Sequence, residues 1–167
     1  SISEFEISTI DITNVLPYFQ ENFGVDCARI DMGHALPNKL NKLLIKNARK
    51  IDPYFGFIAE EMNLGNAINH KKFKYNAILG NSFLMIHELN CHKLQDFAYS
   101  TKYVDLPVFA SCETHDTPRV TSRENGVNIN KFLSTCCMFL PNAIPFLNCG
   151  QELQEIAAIN SGLGSNN

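Results

Sequence analysis

Charged side chains follow short apolar segments at three places in this chain, where they could carry out acid–base or nucleophilic chemistry. The first is Arg29-Ile-Asp31, at the end of an apolar stretch. Because alternate residues of a strand lie on one face, Arg29 is predicted to lie beside Asp31. A nearby guanidinium favours the ionised carboxylate, which is the form that acts as a nucleophile. A purely structural ion pair at a strand end would use the same two residues.

Two later segments end in similar residues. The segment GFIAEEM ends in the adjacent carboxylates Glu60 and Glu61, and the segment VFASCETHDTPR contains the pair His115-Asp116. Since neighbouring residues of a strand point to opposite faces, only one of Glu60 and Glu61 should reach a shared site. Taken by itself, His115-Asp116 is equally typical of a turn.

The rest of the chain predicts the elements that would hold these residues. Apolar periodicity and turn residues predict strands at 25–31, 55–60, 75–79, 107–111 and 143–148, and helices at 10–22, 37–51, 83–99, 123–140 and 151–159. This alternation, without hairpin signals, indicates a parallel sheet whose strands are buried on both faces. Every candidate residue then lies at the carboxyl end of a strand, where α/β folds build their sites.

Together these segments resemble the conserved regions of a known enzyme family. GVDCARIDMGH (24–34), GFIAEEM (56–62) and VFASCETHDTPR (108–119) resemble the second, third and fourth sequence regions of the α-amylase superfamily, glycoside hydrolase family 13. PNAIPFLNCGQEL (141–153) resembles that family's eighth-strand segment. The order of the four segments is that of the family. The resemblance implies strands four to eight of a catalytic (β/α)₈ barrel, and the family's first conserved region has no counterpart here.

The fold class that follows is α/β, a partial TIM barrel with about five parallel strands and flanking helices, since a complete barrel needs about 250 residues. We expect residues 1–167 to form a single partial catalytic domain, with a flexible tail at 161–167. An open sheet would expose two edges, which invite association. The chain is therefore predicted to be a fragment of a longer enzyme whose missing barrel half, or a second copy, covers those edges.

The resemblance also implies a reaction. Enzymes of this family retain the anomeric configuration and use a pair of carboxyl groups. Asp31 matches the nucleophile, and Glu60 matches the acid/base because it follows the small residue Ala59, although Glu61 stays open as the alternative. The acid must carry a proton at working pH while the nucleophile is ionised, so the two carboxyl groups need different environments.

Further residues match the family's substrate contacts. Asp116 matches its third catalytic carboxylate, and His115 matches the histidine that hydrogen-bonds the same sugar ring. Arg29 matches the arginine that keeps the nucleophile ionised, and His34 is expected to line an acceptor subsite although its position is shifted. The family's frequent calcium site draws on the missing first region, so no metal and no other cofactor are predicted.

Composition excludes several partners. The net charge of −3 and the pI near 5.9 provide no basic surface for nucleic acid. No apolar run is long enough to span a membrane. Six cysteines without Cys-x-x-Cys spacing favour a reduced, cytoplasmic chain, and secretion stays open because the chain resembles a truncated one. In HELNCH (87–92) the histidines are five residues apart, a spacing that does not predict a zinc helix.

The substrates expected from the resemblance are α-linked glucans such as maltodextrin, starch or glycogen, with hydrolysis and transfer to a second sugar both open. The chain alone is expected to have little activity. A rival interpretation is a non-catalytic half-barrel that binds glucan or a partner chain. A flavodoxin-like binding domain is disfavoured, because no glycine-rich phosphate loop follows the first strand.

Overall fold

A computed structural model describes residues 4–79 and 90–159, with side chains described from residue 12. Helices and strands alternate in this part of the chain. Their order is α1 (Glu4–Phe23), β1 (Cys27–Ile30), α2 (Asn38–Ile51), β2 (Gly56–Glu60), α3 (Ala67–Lys72), β3 (Ala77–Leu79), α4 (Cys91–Lys102), β4 (Val108–Ala110), α5 (Gly126–Phe139) and β5 (Ala143–Pro145). Short 3₁₀ turns at Leu64–Asn66 and Val120–Ser122 complete the connections.

The strands form one parallel sheet in the order β1-β2-β3-β4-β5. Each strand therefore pairs with its neighbours in sequence, as strands of a (β/α)₈ barrel do. The predicted α/β fold, a partial TIM barrel with five parallel strands and flanking helices, is confirmed. All five carboxyl ends consequently lie along one rim of the sheet.

One face of the sheet packs against the helices and forms the core. Phe57, Ala59, Ile78 and Val108 are completely buried there, and they contact an apolar stripe of α2 that includes Ala48. That stripe recurs every three to four residues, which is why α2 covers the sheet with one side and exposes lysines on the other. The helix-facing side of the sheet is thus a closed core.

The opposite face of the sheet is open, and here the prediction of strands buried on both faces is wrong. Ile58, Leu79 and Phe109 are only half-buried, and Ile144 and Phe146 are each 37% exposed. Five strands curve around only part of a barrel, so no further strands among the described residues close over this interior side. The open face is where the rest of a barrel would pack.

Helix α1 is longer than predicted and packs on α2. Gln20 donates its side-chain amide to the Ala48 carbonyl at 3.1 Å, which fixes the contact between the two helices. The other side of α1 carries Tyr18, Phe19 and Phe23, which contact one another and are 44–65% exposed. An aromatic surface on α1 therefore remains uncovered by the described residues.

Two predictions near the carboxyl end of the chain are wrong. Residues 151–159 form turns and no helix. Helix α5 begins at Gly126, after Asn125 in a left-handed conformation at φ 53°, and has no side-chain cap. The backbones approach closely here, because a Cβ on Gly126 would lie 2.3 Å from the Thr121 carbonyl oxygen. Arg123 is extended at φ −85° and ψ 164°, so the helix does not begin there.

Other sequence expectations meet the structure in part. Of the helix predicted at 83–99, residues 83–89 lie outside the described residues, and the remainder corresponds to α4. The Asn90 side chain caps α4 by accepting the Lys93 N–H at 2.9 Å. The tail at 161–167 also lies outside the described residues. The thiols of all six cysteines are free. None of the described helices combines the length and the apolarity that a membrane crossing requires.

Candidate active site

A single guanidinium joins the carboxylates that end β1 and β2. Arg29 Nη1 lies 2.7 Å from Asp31 Oδ1, and Arg29 Nη2 lies 2.8 Å from Glu60 Oε1. Strand register explains the meeting, because Arg29 pairs with Ile58 on the open face and Glu60 follows two residues later on that same face. The structure thus brings together the side chains of Arg29, Asp31 and Glu60. The sequence analysis assigned these three residues to one site.

The environment of Asp31 favours its ionised form. The hydrogen bond from Arg29 is the main cause that holds the pKa of Asp31 below its ordinary value, and contact with Glu60 and the charges of Arg29 and His115 act in the same direction. The Asp31 side chain is 74% exposed, so the carboxylate is accessible from solvent. An ionised and accessible carboxylate is what a nucleophile requires.

We expect the variant Arg29→Gln to raise the pKa of Asp31 toward its ordinary value of about 3.9. A carboxyl whose pKa is depressed by folding stabilises the fold above its unfolded pKa, and this contribution disappears as the pH falls through the folded value. An NMR titration of the Asp31 carboxyl carbon measures the shift, with Lys46→Gln as a charge-matched control on the exposed side of α2. An unchanged Asp31 titration in Arg29→Gln would contradict the assignment of the ion pair as the cause.

The second oxygen of Glu60 accepts a backbone hydrogen bond. Met32 adopts a left-handed conformation at φ 47°, which is unfavourable for a residue with a side chain, and its N–H donates to Glu60 Oε2 at 2.8 Å. Both oxygens of Glu60 therefore accept hydrogen bonds, and its side chain is 10% exposed. This strained turn fixes the position of Glu60 relative to Asp31.

Glu61 points away from this cluster. Its Oε2 lies 3.0 Å from His70 Nε2, and its Oε1 accepts the Asn63 N–H at 2.8 Å. Burial by itself would raise the pKa of Glu61, but the hydrogen bonds from Asn63, His70 and Asn66 outweigh it and hold the pKa below the ordinary value. Of the two adjacent glutamates, Glu60 is the one that shares a site with Asp31.

The pair His115-Asp116 lies in the loop after β4. His115 Nε2 is 3.2 Å from Asp116 Oδ2, and the His115 charge contributes to the lowered pKa of Asp31. The loop is also a hydrogen-bonded turn, since Thr114 Oγ1 accepts the Asp116 N–H at 3.2 Å. The turn therefore places the His115 charge near Asp31, while the contacts of Asp116 described here are with His115 and Thr114 of its own loop.

His34 lies beside the same strand end in a different direction. Its Nδ1 is 3.5 Å from the Glu60 carbonyl oxygen, which is long for a hydrogen bond, and the ring lines a neighbouring pocket with Gly33 and Glu61. The structure does not bring His34 into contact with Asp31. Within residues 12–79 and 90–159, no group of three or more His, Cys, Asp or Glu side chains is arranged to hold a metal ion.

Sequence reasoning missed a buried ion pair that braces the loop after β4. Glu113 is completely buried, and its Oε1 lies 2.6 Å from Arg119 Nη1 while its Oε2 accepts the Val120 N–H at 2.7 Å. Asn148 adds a third donor to the same carboxylate at 3.1 Å. The sequence does contain a signal for this ion pair, because two residues of opposite charge flank His115-Asp116. Glu113 lies two residues before the pair, and Arg119 lies three residues after it.

Comparisons with solved structures identify proteins of the same fold. An α-amylase from Geobacillus thermoleovorans, solved with acarbose, matches 90% of this chain with a TM-score of 0.75 and 16% identity. A pullulanase from Anoxybacillus sp. LM18-11, complexed with maltotetraose, matches 93% with a TM-score of 0.73 and 18% identity. A cyclic α-maltosyl-(1→6)-maltose hydrolase from Arthrobacter globiformis matches 93% with a TM-score of 0.73 and 14% identity.

These matches cover only part of each solved structure. The chain spans 37%, 28% and 38% of the three proteins, respectively, or about a third of their length. Neither a protein-family model nor a curated protein matches the sequence. At 14–18% sequence identity, the similarity shows a shared fold only. The chain therefore shares the fold of part of the barrel found in glycosidases of the α-amylase family.

Proposed function

We propose that this chain supplies the catalytic carboxylates of a retaining glycoside hydrolase or transglycosidase of the α-amylase type. The observation that carries the proposal is the bridge from Arg29 to both Asp31 and Glu60 at neighbouring strand ends. Retaining enzymes keep their two carboxyl groups about 5–5.5 Å apart, and one guanidinium between the carboxylates is consistent with such closeness. The similarity in fold to α-amylase-type glycosidases supports the same reaction class.

Each residue has a role in the proposed reaction. Asp31 attacks the anomeric carbon and forms a glycosyl ester, while Glu60 gives its proton to the departing glycosidic oxygen. Glu60 then takes a proton from a water molecule, or from a sugar hydroxyl, which displaces Asp31 and restores the anomeric configuration. Arg29 keeps Asp31 ionised throughout. Water as acceptor gives hydrolysis, and a sugar as acceptor gives transfer.

The remaining polar residues would bind the substrate. Asp116 and His115 would hydrogen-bond hydroxyls of the sugar that is attacked, and His34 would lie toward the acceptor side. Two of the solved structures of this fold contain acarbose or maltotetraose, which supports an α-linked glucan as the substrate. No metal or other cofactor takes part in the proposed reaction.

The contacts of Glu60 bear on the activity of the chain alone. A general acid must carry a proton, whereas both oxygens of Glu60 accept hydrogen bonds, from Arg29 and from the Met32 N–H. The acid form can still accept both bonds, because its hydroxyl oxygen keeps a lone pair. Among the described residues, however, nothing closes the open face of the sheet into a substrate cleft. We therefore propose that the chain has little activity unless the rest of a barrel is present.

Replacement of Glu60 by Gln tests the acid/base assignment. In the whole protein that contains this chain, Glu60→Gln should lower glucan turnover by about 10²–10⁴-fold, because the leaving oxygen loses its proton donor. With a substrate whose leaving group needs no protonation, Glu60→Gln should recover much of the rate of the first step, in which the glycosyl ester forms. Initial rates on a maltodextrin and on an activated α-glucoside measure both effects.

Two further variants make this experiment specific. Glu124→Gln, at an exposed position just before α5, should leave turnover unchanged. Glu61→Gln should lower the free energy of unfolding, since it weakens a buried pair with His70. Equal losses of turnover in Glu60→Gln and Glu124→Gln would refute the role of Glu60.

The uncovered surfaces predict association. Apolar side chains are exposed in two places, on α1 at Tyr18, Phe19 and Phe23 and on the open face at Ile144 and Phe146, and exposed apolar surface of this kind favours a protein partner. We propose that a missing barrel half, or a second copy of the chain, covers the sheet edges. Sedimentation of the chain alone should show self-association, and a monodisperse monomer without dye-accessible apolar surface would contradict this expectation.

A second candidate function follows from the same contacts of Glu60. In this candidate the chain is a non-catalytic half-barrel that binds glucan or a partner chain through the open face, and Glu60 stays bonded to Arg29 and to the Met32 N–H. Binding of maltotriose without any turnover by the whole protein would favour this alternative. The turnover assay on Asp31→Asn described below separates the two.

A further inference from the structure

We propose that Glu113 and Arg119 are positioning residues for the proposed reaction. They hold the loop 113–119 so that His115 and Asp116, which lie inside it, meet the sugar that is attacked. The inference rests on the proposed function, because the ion pair acts through two residues that this reaction uses. Its structural part, the placing of His115 near Asp31, can be measured without any turnover.

The loop 113–119 is closed at its base by a buried ion pair. Arg119 Nη1 lies 2.6 Å from Glu113 Oε1, and the Val120 N–H donates to Glu113 Oε2 at 2.7 Å. The side chains of Arg119 and Glu113 are 5% and 0% exposed. Because solvent does not screen the two charges, their attraction is stronger than that of a surface pair. Both ends of the loop are therefore held together firmly.

Hydrogen bonds inside the loop make it a stiff turn. The Thr114 N–H donates to Thr117 Oγ1 at 2.9 Å, and the Thr117 N–H donates to the Thr114 carbonyl at 3.3 Å. The Asp116 N–H donates to Thr114 Oγ1 at 3.2 Å. Since Thr114 follows Glu113 directly, the turn moves with the base of the loop. A shift of the base is consequently passed on to His115 and Asp116.

The base of the loop is anchored to the segment that follows β5. Asn148 Nδ2 donates to Glu113 Oε1 at 3.1 Å, and Arg119 Nε donates to the Ala157 carbonyl at 2.9 Å. Gly150 of the same segment adopts φ 88°, and a Cβ there would lie 3.2 Å from Arg119 Nη2. The guanidinium is thus bonded on one side and covered on another. Its position is set by two parts of the chain at once.

The use of buried charges at this base indicates positioning rather than stability alone. Apolar side chains of similar size often stabilise a fold as well as a buried ion pair does, because both charges lose their hydration. A guanidinium paired with a carboxylate adds fixed directions to the contact. Residues that bind a reacting sugar must be held to within about 0.5 Å, and directional contacts behind them provide that precision. The Glu113–Arg119 pair supplies such contacts directly behind His115 and Asp116.

Arg119→Lys tests the proposal. Lysine keeps the charge beside Glu113, but one ammonium group does not reproduce the two directions in which Arg119 donates, to Glu113 and to Ala157. In the whole protein, kcat on a maltodextrin should fall by about 10- to 100-fold, with a smaller change in KM. A folded variant that is only less stable keeps its kcat.

A second measurement does not depend on turnover. The charge of His115 is one of the causes that lower the pKa of Asp31. If the loop shifts in Arg119→Lys, an NMR titration of the Asp31 carboxyl carbon should give a pKa closer to the ordinary value. Asn148→Ala removes one donor to Glu113 and should change kcat and the Asp31 titration in the same direction by less. This milder variant keeps the test decisive if Arg119→Lys does not fold.

Asn142→Ala is the matched control for stability. Asn142 lies just before β5, at the opposite end of the sheet, and its side-chain amide donates to the carbonyls of Thr101, Val104 and Leu106 at 3.0–3.2 Å. Its loss should lower the midpoint of urea unfolding and leave kcat and the Asp31 titration unchanged. An equal loss of kcat in Asn142→Ala would overturn the proposal.

The two measurements separate this proposal from the proposed catalysis. An unchanged Asp31 titration in folded Arg119→Lys, or an unchanged kcat in an active protein, would overturn the positioning role. If the native protein does not turn over maltodextrin and Arg119→Lys still shifts the Asp31 titration, the catalysis is rejected while the placing of His115 by the ion pair is supported. Loss of kcat together with a shifted titration supports both.

Discussion

Replacement of Asp31 by Asn should lower glucan turnover by the whole protein by about 10³-fold or more, because an amide does not form the glycosyl ester that the proposed reaction needs. The substitution keeps the size of the side chain and leaves an oxygen to accept from Arg29, which lies 2.7 Å away in the native chain. Folding should therefore be little changed, and the loss should appear in the rate constant of the chemical step.

The experiment combines kinetics with detection of the intermediate. Initial rates on a maltodextrin measure turnover, and mass spectrometry after rapid acid quenching detects a covalently bound sugar in the native protein but not in Asp31→Asn. Asp26→Asn is a matched control, since Asp26 is an exposed aspartate just before β1. Unchanged turnover in Asp31→Asn would reject this nucleophile and favour the non-catalytic half-barrel.

The largest effect on stability is expected at Glu113. Its carboxylate accepts from Arg119, from the Val120 N–H and from Asn148 in a completely buried position. Glu113→Ala leaves the Arg119 guanidinium buried without its charge partner, so the free energy of unfolding should fall by about 3–5 kcal/mol. Glu113→Gln, which keeps the shape and one acceptor, should cost less.

Urea unfolding of the chain measures these differences. The variants Glu113→Ala, Arg119→Ala and the double variant form a cycle, and the double variant should be clearly more stable than the sum of the single losses predicts. A loss below about 1 kcal/mol in Glu113→Ala would mean that the pair is not buried as described. His115 and Asp116 lie between the two partners, so their NMR signals should also shift in Glu113→Ala.

Features that depend on residues close together in the chain could be predicted from the sequence. The alternation of apolar strands with helices is a local pattern, so the parallel sheet and the positions of β1, β2, β3 and β4 could be anticipated to within a few residues. The proximity of Arg29 and Asp31 is local as well, since two residues of one strand are involved. The helix expected at 151–159 failed because apolar spacing alone does not provide a packing partner.

The choice between Glu60 and Glu61 shows where local reasoning stops. Strand alternation predicts that Glu60 and Glu61 point to opposite faces. Only the register between β1 and β2 decides which of these faces also holds Arg29. The same holds for Glu113, whose burial depends on Asn148 from a segment 35 residues away. Contacts between distant segments are not encoded in any short pattern.

The sequence by itself determined the class of the fold, the strand ends that carry carboxylates, and the nearness of Arg29 to Asp31, because each rests on spacing along a single element. Tertiary structure decided that Glu60 joins that pair, that His115 approaches Asp31 from the loop after β4, and that one face of the sheet stays open. The physical reason is that strand register and sheet curvature set distances between elements, and these depend on the packing of the whole chain.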